Sequence, residues 1–224
     1  MSSGLASNYL AAAVLYNLQI LPETVMAGLI ILAVVLANQP LMVLAAAASF
    51  VQLLLGGVGR LVMKFQPEQA VVASSLSSCV STMGFIGKSW QRLMNPEAAA
   101  ANLLWHPLSP SVYMGTVGFF AGWGYALNQL YKDEVNAGVL NRSSMMTMGI
   151  ITGLLLLMAI IFRVFSGCET VLGALGGTAL GSLLGYFLAI AIGYMSDRRL
   201  TNIWGMPLLR DRINAGQPVY VCGA

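Results

Sequence analysis

Charge is what this chain has least of. Asp, Glu, Lys and Arg make up 8% of its 224 residues, against roughly a quarter in a soluble domain, and 58% of the residues are apolar. A chain of this kind belongs in a bilayer. Histidine is all but missing: His106 is the single one, which excludes any mechanism that needs two imidazoles and any His-rich metal cluster. Cys79, Cys168 and Cys222 are odd in number, far apart and without a CxxC pair, so neither a disulfide framework nor a zinc site is indicated. No metal and no cofactor is expected. Positive charge is scarce as well, and the net +3 is dispersed, which argues against a nucleic-acid partner. Residues 1–8 lack the Lys or Arg that opens a secretory signal, so the first apolar segment is expected to be retained.

What fills the chain instead is apolar sequence in runs suited to crossing about 30 Å of hydrocarbon. Read against their polar punctuation, these runs give about six spans: Tyr9–Ile20, Thr24–Ala37, Leu41–Met63, Ser111–Tyr131, Met145–Phe165 and Val171–Tyr194. The expected fold is therefore all-α, a polytopic membrane helix bundle over residues 1–195 with an extramembrane C-terminal tail over 196–224. The first two runs are short, and Leu21-Pro22-Glu23 is either a tight turn or a kink in one longer helix. Asn38-Gln39-Pro40 reads as a clearer turn, with Pro40 placed to start the next helix. Residues 64–110 form a long polar-flanked connection. In it, Val71–Ile86 carries five serines and reads as a surface or re-entrant segment, with a seventh span as the alternative. The residues after Asn95-Pro96-Glu97 read as a short helix ended by His106-Pro107.

An even number of crossings puts both ends of the chain on one side. Lys132, Arg142, Arg198, Arg199, Arg210 and Arg212 fall there, against Arg60, Lys64, Lys88, Arg92 and Arg163 opposite, so the side holding the tail is the expected cytoplasmic face. Trp90, Trp105, Trp123 and Trp204 suit interfacial anchors, Trp123 alternatively facing the bundle.

Within the last span, Gly173, Gly177, Gly181 and Gly185 recur every fourth residue. That spacing puts them on one helix face, where a neighbouring helix can approach backbone to backbone. An intramolecular packing seam is preferred to a dimer face. Just before it, Arg163 ends one apolar run and Glu169 opens the glycine helix. Six residues of unbroken helix would leave these two about 120° apart, so their pairing needs a break, placed at Gly167. A structural ion pair is the plainest reading and a remnant ligand pocket the second. A carboxylate nucleophile at Glu169 comes third, because no acid, metal cluster or paired base accompanies it.

Arg163-Val-Phe-Ser-Gly167-Cys-Glu169 with the glycine helix behind it resembles the third signature of the type 2 phosphatidic acid phosphatase superfamily. In that signature Ser-Arg is followed after five residues by His and after three more by Asp. Arg163 stands at the arginine and Gly167 at a frequent glycine, while Glu169 falls on the nucleophilic histidine and Gly173 on its aspartate. Pro110-Ser111-Val112-Tyr113 occupies the place of the second signature, Pro-Ser-Gly-His, with Tyr113 at the acid histidine. Gly59 to Pro67 fits the first, Lys, six residues, Arg-Pro, with Gly59 for the lysine, Gln66 for the arginine and Pro67 retained.

The resemblance covers roughly Leu41 to Tyr194 and implies the fold of that family with a degenerate site. In the family one histidine attacks phosphorus, the other protonates the leaving alcohol, and basic residues clamp the phosphoryl oxygens. Neither histidine is here, so no catalytic residue is expected. The implied function is that of a pseudophosphatase, a non-catalytic integral membrane protein with a structural or lipid-contacting role. Its remnant pocket would comprise Arg163, Glu169, Ser111, Tyr113, Pro110, Pro67 and Gln66. A lipid phosphate phosphatase or transferase with altered chemistry is the alternative. A small transporter or channel is a further one, disfavoured by the lack of broken helices with midplane charges. The expected partner is the lipid bilayer, headgroups included; no protein partner is indicated. The tail, with Asn202-Ile-Trp-Gly-Met-Pro-Leu-Leu-Arg-Asp-Arg and Gln217-Pro-Val-Tyr-Val-Cys, resembles membrane proteins of large DNA viruses of algae and protists, which implies a virion or host internal membrane.

Overall fold

Runs of apolar residues between turn signals become helices because a helix satisfies its own backbone groups without water. The computed structural model describes residues 24–65, 71–72, 104–105, 109–132, 142–165, 169–195 and 198–203. Among them are five α-helices: α1 (Thr24–Val35), α2 (Gln39–Phe65), α3 (Val112–Leu130), α4 (Arg142–Phe165) and α5 (Val171–Met195), with a 3-10 turn at Arg198–Thr201. The fold is all-α apart from one two-residue antiparallel strand pair, β1 (Val71–Val72) with β2 (Leu104–Trp105). That pair corrects the end of the expected short helix at Leu104 and Trp105, the rest of which lies outside the described residues. Leu104 and Trp105 are extended, as suits a chain approaching Pro107 and facing two β-branched valines. The remainder of Val71–Ile86, the span Tyr9–Ile20 and the break at Gly167 lie outside the described residues.

The α1–α2 hairpin turns on Ala37 and Asn38. Ala37 adopts φ 47°, a left-handed conformation that costs a non-glycine residue about 1 to 2 kcal/mol. It is held by two backbone bonds, Ala37 N–H to the Val34 carbonyl (3.2 Å) and Asn38 N–H to that of Ala33 (3.1 Å), which close the orphan carbonyls at the end of α1. Asn38 then serves the next helix, its Oδ1 accepting from Leu41 N at 3.1 Å. One residue both ends α1 and caps α2, and Pro40 sits in the first turn, where no donor is missed.

α2 and α3 run antiparallel. A methyl on Gly59 would meet Ser109 Oγ at 2.7 Å, and two turns back Gln52 Nε2 donates to Thr116 Oγ1 at 3.1 Å. The apolar core lies between them, with Val51, Leu55, Phe119, Trp123, Ala126 and Leu127 all buried. Of the two readings of Trp123, the structure gives the bundle-facing one, at 1% exposed. At the far end Tyr131 and Thr201 hydroxyls bond at 2.9 Å, which pins the start of the tail against the bundle.

α3 and α5 run parallel and touch along their backbones. A methyl at Gly177, Gly181 or Gly185 would fall on backbone atoms of Ser111, Gly115 and Phe119 respectively, and one at Gly118 or Gly122 on those of Thr178 and Ser182. Ser182 Oγ adds a bond to the Gly118 carbonyl at 3.0 Å. Buried positions on α5 are nearly all small, Gly173, Ala174, Gly177, Gly181, Gly185, Ala189 and Gly193, while Leu172, Leu183 and Phe187 point outward at 67%, 53% and 61% exposure. Small residues inside and large apolar ones outside invert the pattern of a water-soluble core and suit packing in lipid. Among the described residues, two helices are long and apolar enough to cross a membrane, Gln39–Gly59 of α2 and all of α5, with Thr24–Val35 and Gly149–Phe165 apolar but shorter.

Gly181→Ala should therefore lower stability by about 1 to 3 kcal/mol, the usual cost of overpacking. Gly153→Ala, where an added methyl meets nothing within 4 Å, should be neutral or gain up to about 1 kcal/mol of helix propensity. Thermal unfolding in detergent compares the two; equal losses would contradict a packing seam confined to α3 and α5.

Candidate functional site

Three chain ends meet at one corner of the bundle: the last turn of α4 and the first turns of α3 and α5. Each start is fixed by a hydroxyl cap. Ser111 Oγ accepts from Met114 N at 3.0 Å, and Thr170 Oγ1 accepts from Gly173 N at 3.0 Å. The two starts are joined directly, Ser111 N–H donating to the Gly173 carbonyl at 3.0 Å. This bond brings the residues flanking both helices to one point.

At that point stands the Glu169 carboxylate. Its Oε1 accepts from Arg163 Nη2 at 2.8 Å, Arg163 Nε at 3.1 Å and Ser111 Oγ at 2.6 Å. Arg163 is fully buried and Glu169 is 8% exposed. The Tyr113 ring lies over the guanidinium, 4.4 Å from Cζ to the ring centroid, a cation–π contact with a desolvated cation. Helix fields favour both charges. Arg163 sits in the last turn of α4, where carbonyls leave negative partial charge, and Glu169 sits before the N-terminus of α5 beside that of α3, where N–H groups leave positive charge.

The structure thus brings together Arg163, Glu169, Ser111 and Tyr113, with Pro110 buried beside them. Gln66 and Pro67 lie outside the described residues. Gly173 belongs to the site through its carbonyl, while Gly177, Gly181 and Gly185 belong to the seam that leads to it. Three contributors escaped the sequence reading. Thr170 is the cap of α5, signalled by its place before the apolar run. Gly115, Gly118 and Gly122 are the complementary face of the seam, legible as small residues at three- and four-residue spacing on α3. Gln52 with Thr116 is a buried polar pair that a single Gln in an apolar run could have flagged.

Little reactive capacity is left in this arrangement. Ser111 gives its proton to Glu169 and its lone pair to a helix amide, so it is no free nucleophile. Among the described residues Oε2 of Glu169 has no hydrogen-bond partner, yet a carboxylate clamped by a guanidinium is a weak nucleophile and no general acid stands opposite it there. Compared with protein-family models, curated proteins and solved structures, the chain matches none. The chemistry of the corner has to be read from its own geometry.

Breaking a buried ion pair from one side leaves a charge uncompensated, at a cost of up to about 3 to 5 kcal/mol, whereas replacing both partners by apolar residues is often far milder. Glu169→Gln alone is accordingly expected to destabilise more than Arg163→Met combined with Glu169→Leu. Ser111→Ala should lose about 1 to 2 kcal/mol with its cap. Thermal melts of these variants in lipid nanodiscs give the ranking, and a double variant as damaged as Glu169→Gln would contradict it, showing that the loss comes from the pair's own interaction and not from an uncompensated charge.

Proposed function

We propose that this chain is a non-catalytic, multi-pass integral membrane protein, a pseudophosphatase of the phosphatidic acid phosphatase-like fold with a structural or lipid-contacting role. The observation that carries the reading is that the Arg163 guanidinium donates through Nε and Nη2 to the chain's own carboxylate, Glu169. An arginine fork matches the oxygens of a phosphate as well as those of a carboxylate. Here the anion is built in, at the position where the resemblance would put a nucleophile. Phosphomonoester hydrolysis needs a strong nucleophile, a proton donor and free positive charge for the equatorial oxygens. Glu169 uses up the charge, and Tyr113, stacked on Arg163, stands where a proton donor would. The corner is a strut in this reading, tying together the mouths of three helices.

Membrane residence is supported by the inverted distribution of small and large residues on α5 and by the exposed apolar side chains of α1, such as Val34 and Val35 at 66% and 73%. The arrangement of helices supports a multi-pass course. The end of α2, the start of α3, the end of α4 and the start of α5 gather at one end of the bundle, through Gly59 with Ser109 and Arg163 with Glu169.

Purified protein reconstituted in liposomes is expected to release no phosphate above background from phosphatidic acid or polyprenyl diphosphate. Release that disappears with Glu169→Gln would overturn the pseudophosphatase reading. The multi-pass course is tested by cysteine accessibility on a background with Cys79, Cys168 and Cys222 replaced by serine. An impermeant reagent on one side of sealed vesicles should reach Ser109→Cys and Ser166→Cys alike and miss Ala137→Cys and Asn214→Cys. Labelling of the first two from opposite sides would rule out the six-crossing course.

A further inference from the structure

The interior between α2 and α3 holds one acceptor and one donor that the described residues leave unserved. Gln52 Oε1 and Trp123 Nε1 are buried without a hydrogen-bond partner among those residues, and the two side chains belong to residues only 4% and 1% exposed. The first orphan is fixed by its neighbour. Thr116 gives its hydroxyl proton to the Val112 carbonyl at 2.8 Å, so toward Gln52 it can only accept. The Gln52 amide therefore turns Nε2 to Thr116, at 3.1 Å, and Oε1 points elsewhere. Flipping the amide would set two acceptors against each other. Trp123 is the converse case, since an indole offers one N–H and accepts nothing.

Helix register brings the two orphans to one region. Gln52 stands beside Thr116 and Gly59 beside Ser109, so going forward along α3 from Thr116 to Trp123 matches going back along α2 from Gln52 to Ala45. That is about two turns, and residues so spaced share a face. Long side chains of a helix point back toward its N-terminus, which on antiparallel helices carries the Trp123 indole and the Gln52 amide toward each other. The wall around them is made of Ala45, Ala48, Val51, Leu55 and Phe119, all buried, and none of these carries a polar side-chain atom. Two of them are alanines, which leaves the indole room on the α2 side. An acceptor and a donor that do not reach one another are both satisfied by one small molecule able to donate to the first and accept from the second, and water is the smallest that can. We propose that a single water molecule is bound inside the bundle between α2 and α3, donating to Gln52 Oε1 and accepting from Trp123 Nε1. It extends the Gln52–Thr116 bond into a polar connection that runs from Thr116 through Gln52 to Trp123, in a core otherwise held by apolar contact. The site stands apart from the Arg163–Glu169 corner, so phosphate release would bear on the pseudophosphatase reading and leave this one untouched.

The test is water-selective nuclear magnetic resonance on the full chain in nanodiscs, with Trp90, Trp105 and Trp204 replaced by Phe so that the one indole signal is that of Trp123. Rotating-frame cross-relaxation from water, told from hydrogen exchange by its sign, should reach both Trp123 Nε1–H and Gln52 Nε2–H. Gln52→Met, of similar length without the oxygen, should remove the correlation at Trp123 while circular dichroism shows the helices retained. Absence of either correlation in the chain with Gln52 intact overturns the site, whether or not Gln52→Met folds. A correlation at Trp123 that persists in Gln52→Met overturns it as well, because the water would then be held without Gln52.

Discussion

The backbones of α3 and α5 touch, and most of what this molecule can be follows from that contact. Two parallel helices approach this closely only if neither carries a side chain at the crossing positions, and the sequence provides Gly115, Gly118 and Gly122 on one side and Gly177, Gly181 and Gly185 on the other. Glycine in a helix interior costs about 1 kcal/mol of propensity relative to alanine, so six of them are a substantial expense. Dispersion between close-packed backbones, the Ser182 bond to the Gly118 carbonyl and the bond from Ser111 N–H to Gly173 are the return. The last of these sets the registry that puts Ser111 next to Glu169.

Once that registry is set, the electrostatics of the corner become a matter of helix direction. Parallel α3 and α5 present two N-termini at the same end, a place that favours negative charge, and α4, arriving the other way, presents a C-terminus that favours positive charge. Glu169 and Arg163 satisfy the two demands and then each other. Burying either alone would cost several kcal/mol. Together, with Ser111 donating to the same oxygen and Tyr113 covering the guanidinium, they are tolerable where neither could persist singly.

Much of the helical layout was legible because apolar runs bounded by Pro, Asn and charge are strong signals. Thr24–Ala37, Leu41–Met63, Ser111–Tyr131, Met145–Phe165 and Val171–Tyr194 each overlap an observed helix within a few residues. Of the site, the four-residue glycine period and the flanking Arg163 and Glu169 were visible, since small residues and charges are rare enough in such sequence to stand out. The partner face on α3 was harder. Its glycines are spaced three and then four apart among Tyr, Phe and Trp, so no single period marks them. Leu104 and Trp105 were misread as helical because two residues carry no period at all, and their extended state depends on Val71 and Val72 more than thirty positions away, a non-local pairing that local propensity cannot express.

The inverted faces of α5 also change what a charge pair beside it is for. In a water-soluble core, burial of large apolar side chains supplies most of the cohesion, and an ion pair is commonly replaceable by hydrophobic residues at little loss. In this bundle the large side chains of α5 face outward and contribute little to holding helices together if the surroundings are lipid. Cohesion then rests on backbone proximity where glycines permit it and on polar contacts where they do not. α4 takes no part in the glycine seam of α3 and α5, and it carries Arg163. The charge pair thus falls outside the seam, at the buried end of α4, where the attachment depends on directional bonds that altering a single group can undo.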